Sequence, residues 1–128
     1  MTEIDVNALS EFLVKAKKST FAKGGNKAEP SRKGSKDFLF QEGDLTYRDS
    51  YFGEIYDIGQ EIVWQDNKPI WGMNYMGGMK EGYQHLAEQT FKFLKKCLRM
   101  VEPSMPFRGP KYYKEEIYRR IYHGGIIK

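Results

Sequence analysis

Aromatic side chains and glycines are crowded into two stretches of the chain, Asp49-Ser50-Tyr51-Phe52-Gly53 and Pro69-Ile70-Trp71-Gly72-Met73-Asn74-Tyr75-Met76-Gly77-Gly78. Large flat side chains beside residues without a Cβ suit a strongly curved antiparallel sheet, because aromatics fill its concave face while glycines let the strands bend. At 128 residues the chain is read as a single domain over 1–128, large enough to bury a core without disulfide or metal staples.

Around these stretches the sequence falls into two helical segments and a run of strands. Ile4 to about Lys17 is amphipathic, with Val6, Leu9, Leu13 and Ala16 on one stripe and Phe12 widening it. Thr2 with Asp5 resembles a capping arrangement, and Lys15, Lys17 and Lys18 suit the negative C-terminal end. Residues 24–36, rich in Gly, Ser, Pro and Lys, read as a mobile polar loop. From Asp37 to Gly78 the chain reads as successive strands. Leu45, Tyr47, Asp49 and Tyr51 alternate onto one face and Arg48 and Ser50 onto the other. Gly59 separates the runs 54–58 and 60–65, and Asp66-Asn67-Lys68 gives a strong hairpin signal. Tyr83 to Val101 has an unbroken i, i+3/i+4 stripe, predicting a long second helix stopped by Glu102-Pro103. Tyr112 to Tyr122 is expected to add a terminal strand to the sheet.

The predicted class is α+β: an N-terminal helix and a curved antiparallel sheet of about five or six strands packed against a long helix, in a cystatin-like or NTF2-like arrangement. A single cysteine, Cys97, excludes an intrachain disulfide and points to a reducing cytoplasm; it shares the apolar stripe of the second helix and reads as a buried, inert thiol. The acidic N-terminus and the lack of a long apolar run argue against a signal peptide or a membrane span. Net charge is +4, but eight basic residues against Glu29 alone lie between Lys15 and Lys36, so the rest of the chain is net negative. A basic segment of this kind attracts phosphates or nucleic acid, or is simply a solvated surface; no aromatic RNA signature or recognition-helix pattern accompanies it.

No metal or cofactor is expected, since His85, His123 and Cys97 are far apart and the glycine pairs lack the continuation of a phosphate-binding loop. The candidate ligand-binding residues are Asp49, Tyr51, Glu61, Trp71, Asn74, Tyr75, Arg108 and His123, polar or aromatic groups embedded in the aromatic segments. A carboxylate on the face of Leu45, Tyr47 and Tyr51 is costly to bury unless paired, so Asp49 is expected to meet a cation or donors, with Arg108 or His123 as partners. The same set is compatible with a structural ion network and with a small-molecule pocket.

Asp49-Ser50-Tyr51-Phe52-Gly53, Pro69-Ile70-Trp71-Gly72-Met73-Asn74-Tyr75, Pro106-Phe107-Arg108-Gly109-Pro110 and His123-Gly124-Gly125 together resemble a bacterial family of domains of unknown function, DUF5680. Phe12-Leu13-Val14-Lys15-Ala16-Lys17, Thr20-Phe21-Ala22 and Ser31-Arg32 extend the resemblance across nearly the whole chain. Relatives occur alone or behind a repressor-type helix-turn-helix module, which implies sensing or interaction and no particular reaction. No such module precedes Met1 here, so direct DNA reading is not expected. The resemblance also implies a longer stretch between the Arg-Gly-Pro motif and His-Gly-Gly than Lys111 to Tyr122, so a hairpin is expected to be missing and the cleft more open.

Three functions follow from these readings. The leading one is a noncatalytic module, monomeric or homodimeric, that recognises a small molecule or protein partner on the concave aromatic face. The second is a small NTF2-like enzyme with Asp49 or Glu61 as general base. The third is phosphate or nucleic-acid binding through Lys15 to Lys36.

Overall fold

A computed structural model describes residues 4–20, 25–115 and 118–121. The first helix, α1 (Val6–Thr20), begins at Asp5, whose Oδ1 accepts the Asn7 and Ala8 amides at 3.0 and 3.1 Å and so satisfies two of the donors a helix start leaves unpaired. Its buried positions are Leu9, Phe12, Leu13, Ala16, Lys17 and Thr20, an i, i+3/i+4 series that continues past the expected end at Lys17. Thr20 Oγ1 returns a hydrogen bond to the Ala16 carbonyl at 2.8 Å within that last turn.

Five strands follow: β1 (Lys27–Ala28), β2 (Lys36–Glu42), β3 (Leu45–Gly53), β4 (Tyr56–Gln65) and β5 (Lys68–Gly78). They form one antiparallel sheet in the order β1-β2-β3-β4-β5, each strand beside its neighbour in sequence. The domain is thus α+β, with a five-stranded antiparallel sheet and two α-helices. Tight turns set the registers: Asp66 and Asn67 both take positive φ, the geometry of a two-residue hairpin whose twist matches its strands. Gly53, at φ 98, closes the β3–β4 turn so tightly that a Cβ there would lie 1.9 Å from the Tyr56 carbonyl oxygen. The segment expected as a loop over 24–36 contains β1, which pairs Lys27 with Phe38 and Ala28 with Asp37. Gly59 does not divide the 54–65 stretch; β4 runs through it, because extended backbone is open to glycine and its neighbours keep the ladder.

Cross-strand partners share a face, so the register defines two layers. The inner face carries Phe38, Phe40, Tyr47, Asp49, Tyr51, Gly59, Glu61, Val63, Trp71 and Tyr75; the outer carries Asp37, Arg48, Ser50, Gln60, Ile62 and Asn74. Helix α1 covers one end of the inner face, where Leu9, Phe12, Leu13 and Ala16 form the core with Tyr47 and Val63, flanked by Phe40, Leu45, Ile70 and Trp71.

The second helix, α2 (Ala87–Leu98), has 12 residues and is shorter than the stripe predicts. Gly82 at φ 85 turns the chain, and Gln84–Leu86 form a single 3₁₀ turn before α2, leaving Tyr83 exposed. Buried residues concentrate at its C-terminal end, Cys97 and Leu98, and His85 is exposed. A hairpin of β6 (Tyr112–Glu115) and β7 (Tyr118–Ile121) makes a separate two-stranded sheet, so the segment expected to add a terminal strand stands apart from the main sheet. It docks on α2 through the Lys96–Glu115 ion pair and a Phe93–Tyr113 stack at 5.9 Å.

Candidate functional site

Between α2 and the half of the inner face that α1 leaves uncovered lies a cleft of about 700 Å³. Asp49, Tyr51 and Tyr75 are on its sheet side, Phe91 and Leu94 on its helix side, and Arg108 closes one end. The apolar stripe of α2 therefore faces a cavity more than a packed sheet, which is why so few of its residues are fully buried.

Asp49 is 3% exposed and its Oδ1 accepts the Tyr75 hydroxyl at 2.6 Å. Tyr75 stands on β5 and Asp49 on β3, with β4 between them, so the ring must lie flat across the middle strand. It does so over Gly59, where a Cβ would come within 2.4 Å of the ring and 2.6 Å of Tyr51 Cβ. Arg108 places its guanidinium 4.5 Å from the Tyr75 ring centroid, a cation–π contact. Burial and the neighbouring Glu61 carboxylate push the Asp49 carboxyl up to about 7, against the opposing pull of Tyr75, Arg108 and Lys17. Burial and the same Asp49 charge hold the Tyr75 hydroxyl firmly protonated, fixing it as the donor.

Behind Asp49 the inner face holds a second polar group. Lys17 and Glu61 are each 1% exposed at the side chain, with Nζ 3.4 Å from Oε1. Glu61 Oε1 also accepts the Tyr47 hydroxyl, while Lys17 donates to the Phe107 carbonyl and lies 5.7 Å from the Trp71 ring centroid. Burial lowers the lysine's affinity for its proton, the Glu61 charge opposes that, and Arg108 adds to the lowering. Glu61 Oε2 has no hydrogen-bond partner among the described residues. Trp71 stacks on Phe107 at 6.3 Å and 12°. The Pro106–Pro110 segment is thus a strap: Phe107 seats on Trp71 and receives Lys17, Arg108 covers Tyr75, and Gly109, at φ 98, passes so near α2 that a Cβ would lie 2.3 Å from the Cys97 carbonyl oxygen.

Of the eight residues singled out by sequence, Asp49, Tyr51, Tyr75 and Arg108 meet in the cleft. Trp71 and Glu61 share the inner face but sit beneath α1 and the strap, outside the cleft lining. Asn74 faces the opposite side, where its Oδ1 accepts Gln60 Nε2 at 2.9 Å, since it is one residue out of phase with Tyr75. His123 lies outside the described residues. Asp49 meets a hydrogen-bond donor, as expected, and that donor is Tyr75; the charge of Arg108, one of the two partners named for it, also acts on Asp49. Lys17 and Gly59 were missed. Lys17 was legible as the i+4 neighbour of Leu13, on the stripe that also holds Thr20; Gly59 carried no signal, because its role depends on a ring from another strand.

Ser50 and Arg48, on the outer face, join a different cluster around Asp37. That carboxylate accepts Arg48 Nε at 2.8 Å, Ser35 Oγ at 2.5 Å and Ser50 Oγ at 3.2 Å. Burial pushes the Asp37 carboxyl up, but hydrogen bonds from Ser35, Ser31 and Arg48 outweigh it and hold it well below the usual carboxylate range. Arg48 also donates to the Glu29 carbonyl at 2.9 Å, so the cluster clips the 29–35 turn to the sheet. Among the described residues no group of His, Cys, Asp and Glu is placed to hold a metal, and no helix is long and apolar enough to cross a membrane. Cys97 is buried.

Fold and cleft together define a small α+β domain with an aromatic-floored cavity beside a buried carboxylate. The chain belongs to the family described as Domain of unknown function (DUF5680), which it matches over residues 49–126. That span takes in the cleft floor, α2 and the strap, and leaves out α1 with Lys17. No curated protein and no solved structure matches the chain.

Proposed function

We propose that this domain is a noncatalytic binding module that takes a small organic molecule in the cleft between the inner sheet face and α2. The observation that carries this reading is the hydrogen-bonded Asp49–Tyr75 pair, with Arg108 above it, at the side of a cleft of about 700 Å³ that Phe91, Leu94 and Leu98 line from the helix side. A concave site with mostly apolar walls and a few oriented polar groups is the common form of a small-molecule site. A sheet curving around the cleft in cystatin-like or NTF2-like fashion, and a cytoplasmic location for a chain with one buried thiol, belong to the same reading. Thermal-shift and amide NMR titration over a metabolite panel tests it: a ligand should shift Tyr51, Tyr75 and Leu94, and Tyr51→Ala should weaken it. A panel without response at these residues would overturn the proposal.

A second reading is a proton-transfer enzyme. Asp49 favours it, being a cleft-lining carboxylate whose proton affinity is tuned close to neutrality. Glu61 is a poorer base, since Lys17 and Tyr47 engage it away from the cavity. Turnover of a panel compound that is abolished by Asp49→Asn would select this reading. The basic segment supports phosphate binding less well: Lys17 is internal, and Lys15 and Lys36 stand 3.0 and 3.9 Å from Glu42 and Glu54.

A further inference from the structure

We propose that the ligand of the cleft is a small organic anion with an apolar body, its charged end held at a rim formed by Lys27, Lys95 and Arg99. The inference rests on the cleft being a ligand site, and adds the charge of what enters it.

Five cationic side chains line the cleft against three carboxylates, and the carboxylates do not balance them evenly. Glu54 stands 3.9 Å from Lys36, Asp49 is turned into the sheet by Tyr75, and Asp57 lies beside Gly77 of β5, at the opposite edge of the sheet from Lys27 on β1. Lys27, Lys95 and Arg99 make no ion pair among the described residues. They arrive from two separate elements, Lys27 from β1 and the other two from the end of α2, one turn apart in sequence. A helix C-terminus favours cations, but that applies equally to Lys96, which leaves the cleft to pair with Glu115. The helix end thus accounts for basic residues there and does not account for a third cation across the gap.

Inside the rim the lining is suited to an uncharged body. Tyr51 stacks on Phe38 at 6.4 Å and 6° on the sheet side, while Phe91, Leu94 and Leu98 supply the helix side. Cations at the mouth of a low-dielectric cleft focus their field along it, so an anion is drawn in with its apolar part toward these walls. A cationic ligand would meet the rim first and be repelled.

Two fluorescent probes of matched aromatic body test this: 8-anilinonaphthalene-1-sulfonate and its neutral counterpart N-phenyl-1-naphthylamine. The full chain should bind the sulfonate at least about ten-fold more tightly, with affinity falling as salt is raised. The variant K27Q/K95Q/R99Q should lose that preference, while K18Q/K33Q/K68Q, with the same loss of charge elsewhere, should keep it; circular dichroism verifies that both fold. Equal binding of the two probes, or an equal loss in both triple variants, overturns the anion assignment. It leaves the binding-module reading standing if the neutral probe still shifts Tyr51 and Leu94 in NMR spectra. Failure of both probes and of the metabolite panel removes both proposals.

Discussion

The Tyr75 hydroxyl reaches Asp49 Oδ1 at 2.6 Å across an intervening strand because the residue beneath its ring is Gly59. Three strands meet in this one contact, and each supplies something the others need: a donor, a carboxylate and a missing Cβ.

Gly59→Ala should therefore be disproportionately damaging for a methyl group. The new Cβ has no room against Tyr75 and Tyr51 Cβ, so the ring must lift or β4 must shift. A loss of about 1–3 kcal/mol is expected from such overpacking, read from urea unfolding midpoints at constant m-value. The double variant Gly59→Ala/Tyr75→Ala should recover part of the loss, because the clashing ring is then gone.

Lys17 and Glu61 should show strong coupling. Lys17→Met leaves a buried carboxylate without its cation, at a cost of about 3–5 kcal/mol, and Glu61→Gln leaves the ammonium similarly stranded. Lys17→Met/Glu61→Gln should be more stable than the sum of the single losses predicts, as measured by a double-mutant cycle. Additive losses would show that the pair contributes no mutual stabilisation.

Asp49 gives stability a particular pH dependence. Its folded-state carboxyl is raised to about 7 from a starting value of 3.8, so the folded chain holds a proton that the unfolded chain has released. That contribution is fully present below about pH 4 and is lost as pH rises through about 7, to a total of at most about 4 kcal/mol. Glu61 adds to the rise, and Tyr75, Arg108 and Lys17 oppose it. Asp49→Asn should flatten the decline, measured as chemical unfolding at several pH values; an unchanged slope would locate the titration elsewhere.

On the outer face the sign reverses. Asp37 is held below its ordinary value, so its contribution is present above about pH 4 and is lost as pH falls through its folded-state value. Asp37→Ala should cost about 2 kcal/mol at neutral pH and remove this acid-side loss. Hydrogen exchange should quicken in the 29–35 turn that Arg48 and Ser35 tie to the sheet.

Much of the fold was legible in local pattern. The stripe of Leu9, Phe12, Leu13 and Ala16 and the alternation of Tyr47, Asp49 and Tyr51 record which side of each element meets the core. Asp66-Asn67 fixed a hairpin for a reason internal to two residues, their tolerance of positive φ. The length of α2 was not legible, because an apolar stripe reports a face away from water and not whether packed side chains or a cavity lie opposite. Asn74 shows the limit for the site: it is adjacent to Tyr75 in a motif, and adjacency along a strand places side chains on opposite faces.

The sequence by itself determined an α+β chain with an aromatic inner face that carries Asp49, and membership of a family with recognisable motifs. Periodicity and turn chemistry act between near neighbours, so those features are written locally. Tertiary structure alone decided that Tyr75 is a donor to Asp49, that Lys17 is internal, and that α2 stands off the sheet to leave a cleft. Each of these depends on distances between segments far apart in the chain, where a glycine in one strand and a strap returning from α2 set what can approach what.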